Sequence, residues 1–161
     1  MRIIPYILYL YLLAFHYTIL SDLISIYGAT VDLAALMITI IAMYKDELTA
    51  FWFAFAAGIV AGTFRLDLMP WEILFLTGFA VLINHISRRI NISAITARMI
   101  ILAGFLIVHE TLTILLISSE SFLYLMYRYV LPSTVYSLIP GWVFFLIKDE
   151  RLTWNEIKAQ F

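Results

Sequence analysis

The stretch GFLIVHETLTILL (Gly104 to Leu116) sets a histidine beside a glutamate in an otherwise apolar run. His-Glu opens the zinc-protease signature HExxH. There two histidines four residues apart share a helix face toward one metal, and the glutamate serves as base. Position 113 is Thr113, so the second ligand is missing. His16 and His85 lie in other segments and form no local metal motif. With 0 cysteines there is no thiolate site and no disulfide. No metal and no cofactor is expected. No Ser/His/Asp set, phosphate loop or paired-carboxylate arrangement for acid–base chemistry stands out, and the reading is away from an enzyme.

The chemistry of His109 and Glu110 is then that of buried polarity. An ionisable group in the middle of a membrane helix costs about 2.5–3.5 kcal/mol on insertion scales, so it faces the bundle interior and has a partner. Consecutive helical residues point about 100° apart, so the two side chains need not meet each other. They are read as an interhelical packing anchor, with a ligand or partner contact as the alternative. By depth alone, Arg128 and Thr39 are candidate partners. Asp32 opens an apolar run and suits a helix N-terminus, where an acid meets the positive end of the dipole. Arg65 and Asp67 read as a loop pair, and Asn84 and His85 as the rim of a span. Ala50, Ala54, Gly58 and Gly62 recur every four residues, a small-residue stripe that lets helix backbones approach. It serves packing within the bundle or the docking of a partner's membrane helix.

Elements of one kind must carry these residues. The chain has 161 residues, 64% of them hydrophobic and 13% charged. An ordinary soluble domain is about 45–50% apolar and roughly 25% charged. A soluble core of this size has no room for the excess, so an all-α integral membrane protein is expected. The net charge of −1 gives no reason to expect nucleic acid. The apolar runs are Ile3 to Leu20, Leu33 to Tyr44, Thr49 to Phe64, Trp71 to Ile86, Met99 to Ile117 and Ser133 to Ile147. They are continuous rather than alternating, which predicts helices and not barrel strands. About six transmembrane helices in one bundle follow, a single domain over 1–161. The first run is read as a retained helix, since no small-residue cleavage site precedes Asp22.

Basic residues orient the bundle. With six spans, Arg2, Lys45, Arg88, Arg89, Arg98, Lys148, Arg151 and Lys158 fall on one side, and Arg65 and Arg128 on the other. That is eight against two of the chain's 10. The excess predicts that side, and both termini, to be cytoplasmic. Residues 118–132 open polar, carry Glu120 and Arg128, and end at Pro132. With Tyr124, Tyr127 and Tyr129 they predict a short helix on the outer interface. Residues 149–161 predict a cytoplasmic amphipathic tail, with the capping box Thr153-Trp154-Asn155-Glu156.

The order of these features resembles a family, the bacterial rod shape-determining membrane protein MreD. Val31-Asp32-Leu33 before an apolar run is similar to that family's Pro-Asp-Leu, with valine in place of proline. Tyr44-Lys45-Asp46-Glu47 is similar to its polar turn. Gly58 to Asp67 resembles its glycine-rich helix ending in an acid, although Arg65 interrupts it and Leu68-Met69-Pro70 replaces the glycine-containing turn. Leu131-Pro132-Ser133, Tyr136 and Gly141-Trp142-Val143-Phe144-Phe145 resemble its last helix. The resemblance implies a non-catalytic part of the cell-elongation complex in the bacterial inner membrane. It would bind a single-span, coiled-coil MreC-type partner and help link actin-like filaments to the SEDS glycosyltransferase and class B penicillin-binding protein that make peptidoglycan. It also implies a fold like the substrate-binding subunits of ECF transporters. The alternative function is therefore such a subunit, taking a vitamin or metal near Glu110 and Arg128. Against it, the first run has only Ala14 where those subunits carry an alanine-rich docking face, and residue 2 is arginine where metal-type members carry histidine. The residues singled out for partner contact or buried polarity are Asp32, Ala54, Gly58, Gly62, Asp67, His109, Glu110 and Arg128.

Overall fold

The computed structural model describes residues 3–25, 29–90, 94–117 and 122–149. Six helical rods make up the described residues. Helix α1 runs Ile4–Phe15 and continues through a π-turn at His16–Leu20 and a last turn at Ser21–Leu23. Then come α2 Leu33–Tyr44, α3 Glu47–Gly62, α4 Met69–Arg89, α5 Ile95–Ile117 and α6 Phe122–Lys148. Helices α4, α5 and α6 are long and apolar enough to cross a membrane, and α1 to α3 are shorter apolar helices. Large apolar side chains such as Tyr11, Leu74, Ile100 and Val135 are exposed on the outside of the bundle. In a soluble protein so much apolar surface would mark a contact; here it suits acyl chains.

Local chemistry sets the ends of the rods. Asp32 caps α2, its carboxylate accepting from the Ala35 amide at 3.0 Å. Asp46 caps α3 the same way, accepting from the Thr49 amide at 2.9 Å. Two caps 14 residues apart leave room for one 12-residue helix and a tight turn at Lys45. Pro5 and Pro70 stand in the first turns of α1 and α4, where a missing amide costs nothing.

Helix α2 is the axis of the fold. It is apolar all round, and eight of its 12 residues are buried, as expected of a helix with no polar face. It packs against α3, α4, α5 and α6, while α1 packs on α3. Its C-terminal carbonyls are closed from α4: the Asn84 side-chain amide donates to Ala42 O and Lys45 O, both at 2.8 Å. Asn84, expected at the rim of the span, is a buried cap at this end of α2. At the same end Arg98 of α5 pairs with Asp149 after α6, at 2.6 Å.

The small-residue stripe is occupied by the chain itself. Ala50, Ala54, Gly58 and Gly62 are all buried, the two glycines against α4. A Cβ on Gly58 would stand 2.8 Å from Ile73 Cα, and one on Gly62 would stand 2.8 Å from Met69 Cα. Only glycine lets the two backbones approach this closely, so this face is not open to a partner's helix.

The last helix differs from expectation. In place of a separate surface helix ending at Pro132, residues 122–148 form one helix. Its α-turns at Phe122–Leu125 and Leu131–Lys148 flank a π-turn at Met126–Val130. Proline breaks a helix by losing an amide bond and crowding the carbonyl one turn back. Directly after a widened π-turn that crowding is relieved, and Pro132 is accommodated. Residues 118–121 and 150–161, with Glu120 and the capping box, lie outside the described residues.

Candidate functional site

Helix lengths create the site. Twelve residues of α2 rise about 18 Å, against about 35 Å for the 23 residues of α5 and roughly 30 Å for a bilayer core. The two start or finish together at the basic end, where Lys45, Arg88, Arg89 and Arg98 gather. At the opposite end α2 therefore stops deep inside the bundle. Above its N-terminus lies a cavity of about 510 Å³, lined by residues of α1, α5, α6, the segment before α2, the end of α3 with the turn after it, and the first turn of α4.

The floor of this cavity is a triad. Asp32, at the start of α2, and Glu72, in the first turn of α4, both sit where the helix dipole favours negative charge. His109 projects from α5 between them. Its Nδ1 lies 2.7 Å from Asp32 Oδ2, and its Nε2 lies 3.0 Å from Glu72 Oε2. All three side chains are about nine-tenths buried. The Phe105 ring supports the imidazole at 5.8 Å between centroids. A histidine between two carboxylates ties three helices together at one point.

Proton counting gives the charge of this triad with one proton in each bridge. Each of the two bridges needs one proton, on nitrogen or on oxygen. With the ring counted as imidazolate (−1), two carboxylates (−2) and two bridging protons (+2), the sum is −1 wherever those two protons sit. The neighbouring Glu110 is held differently. Its Oε1 lies 2.5 Å from Ser133 Oγ, which lies 2.6 Å from the Thr30 carbonyl. A hydroxyl has one proton and cannot donate to both. Both contacts are hydrogen bonds when Ser133 donates to Thr30 and a protonated Glu110 donates to Ser133. In that arrangement Glu110 carries no charge.

Helix α6 holds the segment before α2 by three hydrogen bonds. The Ser133 hydroxyl donates to Thr30 O, the Tyr136 hydroxyl donates to Ile24 O at 3.1 Å, and the Asp32 amide donates to Ser137 Oγ at 2.8 Å. Across the cavity α1 supplies His16 and Tyr17, with Tyr17 stacked on Phe64 at 5.5 Å. His16 is 3% exposed, and neither of its ring nitrogens has a hydrogen-bond partner.

Of the residues singled out from sequence, Asp32, His109 and Glu110 come together here. Ala54, Gly58 and Gly62 belong to the α3–α4 contact. Asp67 is exposed in the turn before α4, away from the cavity lining. Arg128 is no partner of Glu110: its guanidinium donates to the Tyr124 hydroxyl and lies over the Tyr124 and Tyr129 rings, on the outside of α6. Thr39 is spent on the Ala35 carbonyl one turn back, at 2.8 Å. Glu72, His16 and Ser133 were not anticipated. Glu72 follows Pro70-Trp71 and reads as an ordinary first-turn acid; the available signal was its place at the edge of an apolar run. His16 carried a plainer signal, an imidazole in the middle of a span.

Outside the helices, the Asp46 carboxyl is held below its ordinary value by bonds from the Thr49 amide and hydroxyl. Among the described residues no group of three or more His, Cys, Asp or Glu is arranged to hold a metal ion. No known protein family, curated protein or solved structure matches the chain.

Proposed function

We propose that the chain is a non-catalytic membrane component of the bacterial cell-elongation complex, of the MreD kind, with both termini in the cytoplasm. One observation carries the reading. Two stretches that resemble that family, Val31-Asp32-Leu33 and Leu131-Pro132-Ser133 with Tyr136, lie about a hundred residues apart, yet hydrogen bonds through Ser133, Tyr136 and Ser137 join α6 to the segment that opens α2. A third, Gly58 to Asp67, supplies the glycines on which α3 and α4 pack. Hydrophobic helices resemble one another by composition, but composition does not pair polar residues this far apart in the chain. The resemblance thus falls on residues with defined structural tasks. In this reading the MreC-type partner's single span docks outside the bundle. The exposed Tyr124, Tyr127 and Arg128 on the first turns of α6 are its candidate contacts, since Asp32 and the small-residue stripe face inward.

The test is a photo-cross-linking residue at Tyr127 in the full chain, in native membranes, followed by mild-detergent purification. A cross-linked single-span coiled-coil protein, with wall-synthesis enzymes in the eluate, supports the proposal. A co-purifying pair of ATPases overturns it.

A second reading, the substrate-binding subunit of an ECF-type transporter, is favoured by one observation: the cavity over α2 has the size of a small-molecule site. The paired ATPases in the same eluate would establish it.

A further inference from the structure

The geometry points to the cavity over α2 as a binding site for a small organic monocation, a protonated amine with an apolar or aromatic body. The inference rests on the cavity and not on either functional reading above.

Charge is the first argument. The Asp32–His109–Glu72 triad sums to −1, and Glu110 adds nothing when it donates to Ser133. Apart from His16 and His109, the basic residue on the lining is Arg65, which is exposed in the turn after α3. Among the described residues it makes no ion pair with a cavity carboxylate. One negative charge thus lies buried at membrane depth without a cation of its own, an arrangement that favours a bound one.

Unmet hydrogen bonding is the second, independent argument. His16 is buried on the cavity wall with both ring nitrogens unpartnered. Buried polar atoms in folded proteins are nearly always bonded. His16 also begins a π-turn. The described residues contain two such turns, His16–Leu20 and Met126–Val130, and both border this cavity, through His16 and Tyr17 in one and Tyr129 in the other. π-turns concentrate at functional sites because they disturb the ladder to re-aim side chains.

The walls choose the class of cation. The carboxylate oxygens nearest the imidazole are already engaged, and no metal-holding cluster is present among the described residues. The rings of Tyr17, Phe64 and Tyr129 line the cavity, with one face of Tyr17 and Phe64 stacked on each other and one face of Tyr129 under Arg128, and Ile114 and Leu125 add apolar surface. Aromatic faces attract ammonium groups. A volume of about 510 Å³ falls within the usual range for a small-molecule site, roughly 300–1,000 Å³.

The experiment uses the full chain in lipid nanodiscs, with benzylammonium as probe. Benzyl alcohol, benzoate and potassium chloride serve as neutral, charge-reversed and ionic controls. Thermal unfolding and calorimetric titration are read together. The expected result is a saturable rise in Tm with benzylammonium alone. Glu72→Gln removes one of the two carboxylates on the floor and keeps a hydrogen-bond partner for His109, so affinity should fall about tenfold or more. His16→Phe keeps the ring and removes its nitrogens, and serves if Glu72→Gln does not fold; there the fall should be about threefold or more. Equal stabilisation by benzyl alcohol, benzoate or potassium overturns the inference. So does undiminished benzylammonium binding in a folded variant.

Discussion

Replacing His109 with alanine removes the one group that joins α2, α4 and α5 on the cavity floor. The change leaves Asp32 and Glu72 facing an empty space, each about nine-tenths buried. Removing one partner of a buried ion network typically costs about 3–5 kcal/mol, because the remaining charge stays buried. Either carboxyl can relieve part of this by taking a proton, which places the expected loss near about 3 kcal/mol. Glu72→Gln retains a neutral acceptor at 72 and should cost only about 1 kcal/mol. In the double variant Glu72→Gln/His109→Ala one stranded carboxylate is gone, so the two losses should not add. The cycle should show coupling of about 1–3 kcal/mol. Reversible unfolding in mixed micelles, followed by tryptophan fluorescence, measures each corner. A His109→Ala loss below about 0.5 kcal/mol, or additive losses, would refute the triad as a structural joint.

Other positions give separate checks. Gly58→Val puts side-chain atoms against the Ile73 backbone and should cost about 1–3 kcal/mol by overpacking. Gly104→Ala, with nothing within 4 Å, should be neutral or stabilise by up to about 1 kcal/mol in the same unfolding assay. Asn84→Ala removes both bonds to the end of α2 and should cost about 1–3 kcal/mol, with faster hydrogen exchange confined to the last turn of α2. Because the Asp46 carboxyl titrates lower in the folded chain than its ordinary 3.8, the unfolded chain binds more protons in that window. Its stabilisation is therefore complete above that value and fades as pH falls through the folded one. Protection of the Thr49 amide should fall with it, and in Asp46→Ala this pH dependence should vanish.

How far the sequence reaches depends on the kind of force involved. The bounds of α2 were legible because they rest on local chemistry: an acid at 32, a polar turn at 45 and 46, and continuous apolar residues between. The helices over Met69–Arg89 and Ile95–Ile117 run two to four residues beyond the apolar core at one or both ends, since polar end turns satisfy backbone groups without adding hydrophobicity. Pro132 was misread because its effect depends on the turn before it, and a π-turn leaves no mark in hydropathy. That His109 must face inward followed from the cost of burying it. Its partners did not, since which helices adjoin α5 is decided by packing around α2. Arg128 matched Glu110 in depth but points outward from α6, where tyrosine rings hold it. Glu72 escaped notice because a first-turn acid is common; its role comes from the shortness of α2, which brings the ends of two helices to the level of the middle of a third.

The measurement that bears most directly on the proposed function is depletion of this protein in the cells that make it, with cell shape and sites of new wall synthesis followed by microscopy. Loss of rod shape, with new wall dispersed over rounded cells, is the expected outcome. Cells that stay rod-shaped and grow normally after the protein is gone would contradict it.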